Sequence, residues 1–214
     1  LETSPLIRKG AYEVLAEAAH KIGSVTTRNV ATIGGNICNA VPSADSPPAL
    51  VALEAKIKIV GSAGERVIPL DGLFLGVKKT ALKTDEMLVE IQVPKQPART
   101  GTAFLKIGRS SVDLAIVNTA VRVTLGADGT CEDVRIILGG GVGPTLIRAR
   151  KAEAILKGKK LEDALIEEAS QIASEDLRPR KESIRASPEY KIEVSKVLVK
   201  RALKKAIERA RAGR

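Results

Sequence analysis

Aromatic side chains are nearly absent from this chain: two Tyr, two Phe and no Trp, 2% of 214 residues. The core must therefore be aliphatic, and the base-stacking that supports single-strand recognition has almost no carriers. Histidine occurs once, at His20. A Ser-His-Asp arrangement would depend on that residue, and no G-x-S-x-G elbow appears. The two cysteines, Cys38 and Cys131, lie far apart and lack metal-ligand spacing. Zinc and iron–sulfur sites take several clustered ligands, so no metal site is expected, and a reduced, cytoplasmic setting is favoured over a disulfide. No apolar run approaches the roughly 20 residues that cross a bilayer, and no signal peptide is visible. The G-x-G-x-x-G dinucleotide fingerprint is missing as well. The first residue is Leu1 rather than Met, so a processed chain or a piece of a longer one is expected.

What is present suits a globular protein of one large or two small domains, with 44% hydrophobic residues. The net charge of +10 is concentrated: from Lys191 onward there are nine Lys/Arg and two Glu. That basic tail reads as a solvated helix or a contact with an acidic partner. A nucleic-acid module, held by counterion release, is the weaker reading because stacking residues are so few. The Glu167-Glu168 pair reads as a solvated helix face, and no catalytic residue is assigned.

Periodicity places a helix from about Lys9 to Ile22, with Val14, Leu15, Ala18 and Ile22 on one face and Gly23 at its end. His20 then falls in the last turn, as a partly exposed side chain. Thr26 to Ala31 has no clear period. Ser46 and Pro47 suit a helix start, with Ser46 as cap. Lys56–Val60 alternates as a half-buried strand, Ser62-Ala63-Gly64 turns it back into Arg66–Pro69, and Glu86–Val93 is a further strand. Pro94–Gly101 is the best linker candidate. Beyond it, Thr102–Ile107, Ala115–Leu125 and Cys131–Leu138 predict a three-stranded antiparallel sheet with a hairpin at Ala127-Asp128-Gly129. The run Gly139–Pro144 reads as a mobile or tightly packed turn. Helices follow at 151–156 and 161–175, and Ser187-Pro188 starts a last one to about Arg211.

One stretch carries candidate chemistry: Thr32-Ile33-Gly34-Gly35-Asn36-Ile37-Cys38-Asn39, closing on Asp45. Adjacent glycines let the backbone turn tightly and present N–H groups; Thr32, Asn36 and Asn39 offer side-chain hydrogen bonds; Asp45 offers an acceptor for a ribose or similar polyol. That set suits a nucleotide-like phosphate ligand. The plainer reading is a Gly-Gly turn and a loop, with Asp45 supporting the following helix start.

Ala31–Ile37 followed by Pro42–Pro48 resembles the second flavin-binding motif of the FAD-binding (medium) subunit of molybdenum hydroxylases, of the carbon monoxide dehydrogenase and xanthine dehydrogenase type. Further matches keep the family's order: Phe104–Arg109, Asp113–Asn118, Leu138-Gly139-Gly140, Ile184–Lys191 and Val199–Leu203. The resemblance implies an α+β fold, with the second half of a two-part FAD-binding domain over residues 1–97. A C-terminal domain with a three-stranded antiparallel sheet and helices is implied over 98–214. It implies FAD as cofactor, with Thr32, Ile33, Gly34, Gly35 and Asn36 around the pyrophosphate and Asn39 nearby. Asp45 would accept from a flavin-side or adenosine hydroxyl, Leu88 would pack apolar flavin surface, and Lys106 would bring positive charge. Leu114 stands where some members carry an aromatic. The family's N-terminal FAD subdomain, with its own glycine-rich motif, is expected to lie outside these residues. The implied activity is electron transfer from iron–sulfur clusters of a small partner subunit, through FAD, to an acceptor. A large molybdopterin-binding subunit would complete the hetero-oligomer. A non-catalytic scaffold subunit of such a complex is the alternative.

Overall fold

The computed structural model describes residues 1–8 and 10–213. A 3-10 turn at Gly10–Tyr12 leads into α1 (Glu13–His20), which buries Val14, Leu15, Ala18 and Ala19. The helix is shorter than its apolar spacing predicts, and Lys9, its expected start, lies outside the described residues. The stretch without periodicity is a helix, α2 (Val25–Val30). It has no apolar face to announce it, since Val25 and Val30 are both exposed. Its start is fixed instead by Ser24, whose hydroxyl accepts from the Thr27 N–H at 3.2 Å.

Gly34 and Gly35 correct the expectation of a tight turn. Both lie in the first turn of α3 (Ile33–Cys38), with Thr32 at its N-cap, and neither has a positive φ. The next helix, α4 (Ser46–Ala52), is buried throughout. Ser46 is its first residue rather than its cap. Asp45 occupies the cap position without a capping hydrogen bond.

Strands β1 (Lys56–Gly61) and β2 (Gly64–Pro69) form a hairpin; β3 (Phe74–Gly76) and β4 (Lys79–Thr80) form a small ribbon; β5 (Met87–Gln92) pairs antiparallel with β1. The linker candidate is no free linker. Gln96 is buried and donates to the Leu53 carbonyl at 3.2 Å, and Thr100 and Gly101 already belong to the next strand.

The second sheet has four antiparallel strands rather than three: β6 (Thr100–Ile107), β7 (Val117–Leu125), β8 (Cys131–Gly139) and the two-residue β9 (Ile147–Arg148). Helices α5 (Arg150–Leu156), α6 (Asp163–Ile172) and α7 (Pro188–Arg211) follow. Ser187 caps α7 by accepting from the Tyr190 N–H at 3.2 Å, with Pro188 in first position. The glycine run is packed tightly: a Cβ on Gly140 (φ +88°) would lie 2.4 Å from the Val117 Cα.

Every residue of β7 is buried, because helices cover both faces of the sheet. Side chains alternate across a strand. Val117, Val121, Val123 and Leu125 join one core with α5, α6 and α7. Ala120, with Phe104 and Ile137, joins the other, built on α1, α4 and β1. The second face also carries Lys106, Asn118 and Arg122, each bonded to the first half of the chain. Sheet and first-half helices therefore share one core, and the Asp45–Lys106–Asn118 cluster lies along that seam.

Candidate cofactor site

Thr32 ends the extended link from α2 with φ −115° and ψ 151°, and its Oγ1 accepts from the Gly35 N–H at 3.0 Å. That bond organises the first turn of α3. Helix geometry leaves the earlier N–H groups, at Ile33 and Gly34, without intrahelical partners. The two glycines have different causes. A Cβ on Gly35 would sit 3.0 Å from Thr32 Oγ1, so the cap itself favours glycine there. A Cβ on Gly34 would meet no atom within 4 Å, so nothing in this chain demands its absence. The bare backbone at Gly34 leaves a donor-bearing surface open to something else.

Thr32, Ile33 and Asn36 line a cavity of about 270 Å³ that also touches Arg28, Asn29 and Ser46. Drug-sized ligands fill roughly 300–1,000 Å³, so this space suits one part of a dinucleotide. Asn36 Oδ1 accepts from Ser46 Oγ at 2.6 Å, which leaves the amide Nδ2 as the group that can donate to a ligand. Arg28 is the cation that sequence reading missed. Its guanidinium donates to the Ile22 and Gly23 carbonyls, both at 3.1 Å, and to Glu2 at 2.8 Å. The only sequence signal was its place four residues before Thr32, in a helix with no visible period. Glu2 also meets His20 at 2.6 Å, and hydrogen bonds from His20 and Arg28 hold its carboxyl below the usual range.

Asp45 and Lys106 come together, but on each other. Lys106 Nζ donates to Asp45 Oδ2 at 2.7 Å and to the Lys21 carbonyl at 2.8 Å. Asn118 Nδ2 donates to Asp45 Oδ1 at 2.9 Å and to the Ala44 carbonyl at 3.0 Å. Asp45 is 4% exposed, and burial pushes its carboxyl up against the pull of Lys106 and Asn118. The carboxylate thus holds the ammonium in place. Asn118 closes the Asp113–Asn118 match, but the sequence assigned it no role; it reads there as a polar interruption of a strand.

Of the expected site residues, Gly34, Gly35, Asn39, Asp45, Leu88 and Lys106 do not line the cavity. Asn39 is exposed at the end of α3. Leu88, on β5, packs against the core built on α1, α4 and β1, beside α3. The cysteines are both free; Cys131 is buried, and burial pushes its thiol up to about 12.

A helix start with unpartnered N–H donors, beside a cavity, is an arrangement that can take a phosphate-bearing cofactor. Residues 2–96 match the family model described as "FAD binding domain in molybdopterin dehydrogenase", and residues 102–206 match "CO dehydrogenase flavoprotein C-terminal domain". The chain is 37% identical to the 6-hydroxypseudooxynicotine dehydrogenase complex subunit alpha of Paenarthrobacter nicotinovorans, over 99% of this chain and 70% of that protein. It is 35% identical to the carbon monoxide dehydrogenase medium chain of Hydrogenophaga pseudoflava, over 96% and 70%. A solved carbon monoxide dehydrogenase from Hydrogenophaga pseudoflava superposes with a TM-score of 0.92 at 38% identity, covering 98% of this chain and 71% of its counterpart. The chain belongs to the family of FAD-binding subunits of molybdopterin dehydrogenases.

Proposed function

We propose that this chain is the flavoprotein subunit of a molybdenum-containing dehydrogenase, holding FAD between iron–sulfur clusters of a partner subunit and a final acceptor. Its family consists of oxidoreductase subunits, and its relatives include a medium chain and a complex subunit alpha. The finer reading adds a large molybdopterin-binding subunit, a small iron–sulfur subunit and a cytoplasmic setting. Among the described residues no helix is long and apolar enough to cross a membrane. We place the division between the two units at residues 97 and 98.

The single observation that carries the cofactor assignment is the open face of Gly34 at the start of α3. FAD supplies one- and two-electron chemistry when bound. The chain's part is to bind and orient it. The backbone N–H groups of Ile33 and Gly34, with Thr32, Gly35, Asn36 and nearby Asn39, would hold the pyrophosphate. Lys106, held by Asp45, contributes fixed positive charge, and Leu88 contributes apolar surface behind α3.

The test separates ligand from fold. Gly34→Ala adds a methyl that meets nothing in the chain and replaces glycine within a helix. It should raise stability by about 0.5–1 kcal/mol while weakening FAD binding roughly tenfold. FAD titration followed by flavin fluorescence, beside urea unfolding, reads both. An unchanged affinity in Gly34→Ala, or absence of FAD binding by the chain joined to the family's N-terminal FAD subdomain, would overturn the assignment.

A further inference from the structure

Lys191, in the first turn of α7, is a buried ammonium that no carboxylate pairs among the described residues. It is 5% exposed, and its Nζ donates to Ser183 Oγ at 2.9 Å and to the Gly141 carbonyl at 3.4 Å. An ammonium has three donors, so one is left over. Both partners are neutral, and burying a charge without a counter-ion is costly. Burial, with the charges of Arg180 and Arg185 nearby, pushes the Lys191 pKa down.

Arg185 repeats the imbalance. Its Nε is buried and has no hydrogen-bond partner, and the nearest carboxylate oxygen, Asp113 Oδ1, is 3.7 Å away. Asp113 is already committed: Oδ2 accepts from Arg109 Nε at 2.7 Å, and Oδ1 accepts from the Leu114 N–H at 2.8 Å. Glu189, the acid on the first turn of α7, hydrogen-bonds at the helix start with Ser187 and its own backbone. Opposite Lys191 the chain offers glycine. Gly141 has φ +77°, which favours glycine, and a Cβ there would lie at ordinary contact distance, 3.6 Å, from Lys191 Nζ. The group therefore combines Lys191 and Arg185, a serine hydroxyl and two unused charged donors, with the one carboxylate, Asp113, shared between Arg185 and Arg109.

We propose that Lys191 and Arg185, with Ser183, form a binding site for a phosphoryl oxyanion. A tetrahedral anion of charge near −2 takes several charge-assisted hydrogen bonds at once, which matches the leftover donors and the surplus charge. The site uses none of the residues assigned to FAD, so it goes beyond the cofactor reading and can fail separately from it.

The test is thermal unfolding and calorimetric titration of the 214-residue chain with inorganic phosphate, with AMP, and with chloride at matched ionic strength. Two charge-assisted hydrogen bonds should give a Kd of about 1 mM for phosphate. Binding should weaken at least tenfold in Lys191→Met and in Arg185→Gln. Arg185 is partly exposed, so its variant tests the site even if Lys191→Met fails to fold. Binding of phosphate alone supports a free ion as the ligand, and equal or tighter binding of AMP supports a phosphate-bearing one. The proposal is overturned if phosphate acts no better than chloride, or if its effect survives in Arg185→Gln. Loss of the phosphate effect on saturation with FAD would also overturn it, by assigning these cations to the cofactor. A response to an acidic peptide but not to phosphate would overturn it in favour of protein docking.

Discussion

Asp45 carries the type of side chain that accepts from a ribose, yet both of its oxygens are engaged inside the chain, by Lys106 and Asn118. Breaking a buried ion pair from one side strands the other charge. Asp45→Ala should therefore cost about 3–5 kcal/mol in urea unfolding, whereas Asp45→Leu with Lys106→Met should come back close to neutral. If Lys106 faces the cofactor, that stable double variant should still bind FAD poorly; undiminished affinity would remove Lys106 from the site. Glu2 sets a second residue-scale expectation. It neutralises Arg28 at the edge of the cavity, and a carboxylate there opposes an entering phosphate. Glu2→Gln should tighten FAD binding about fivefold at low salt and less at high salt, as expected for a partly exposed charge. A salt-independent change, or none, would show that Glu2 lies off the ligand's path. Sequence named Asp45 as a polyol acceptor and Lys106 through a resemblance, missed Arg28, and gave Asn118 no role. Pairing between positions 45, 106 and 118 depends on which strand face meets which helix, and no local pattern records that.

Short elements escaped the sequence for a different reason. Helices α2 and α3 have six residues each and lack a wide apolar face, so periodicity had little to detect. The two-residue β9 exists only because β8 is there to pair with it. In contrast, α7 was legible at its start because Ser187 and Pro188 act locally, through a side-chain cap and a preset φ. The alternation of β1 was legible because one face is buried, at Ile57 and Ile59. The small first sheet is closed by a polar clasp: Arg66 on β2 donates twice to Glu86, at 2.8 and 2.7 Å, and the Lys83 N–H donates to Glu86 at 2.8 Å. These bonds, the Arg66 one first, lower the Glu86 pKa from 4.5 to about 2. A depressed folded-state pKa means that the clasp contributes stability above pH 4.5 and loses it as pH falls towards 2. Carbon-13 NMR titration should find the Glu86 midpoint near 2 in the parent. In Arg66→Met the midpoint should rise towards about 4.3, the ordinary glutamate value. A parent midpoint already at the ordinary value would mean that the clasp is open in solution.

Across the whole molecule, the strand faces of β6, β7 and β8 divide cleanly, and that division explains why a continuous buried strand carries polar residues. Odd-numbered positions of β7 pack under α7. Its even-numbered Asn118 and Arg122 reach the first half of the chain. Arg122 is 3% exposed; its guanidinium donates to Glu54 at 2.7 Å and Gln96 at 2.9 Å, and also pairs with Asp133. Two residues from the first half and one from β8 thus converge on one cation in β7. The apolar counterpart is the core in which Phe104, Ala120 and Ile137 pack with Leu50, Leu53 and Ile57. On the far face the contact is closer still: a Cβ on Gly101 of β6 would sit 2.0 Å from the Ala206 carbonyl oxygen of α7. Units that share a core in this way should unfold together, despite their separate family signatures. Urea unfolding should then show one transition, with coincident loss of far-UV circular dichroism and of amide protection in α4 and α7. Arg122→Ala removes several buried, charge-assisted hydrogen bonds and should lower stability by about 3 kcal/mol. Gly101→Ala forces α7 off β6 and should cost about 1–3 kcal/mol. In both variants the transition should shift without splitting and with little change in slope, because the shared core remains. Separate transitions for α4 and α7 in the parent chain would instead mean that the seam is an interface between independent domains.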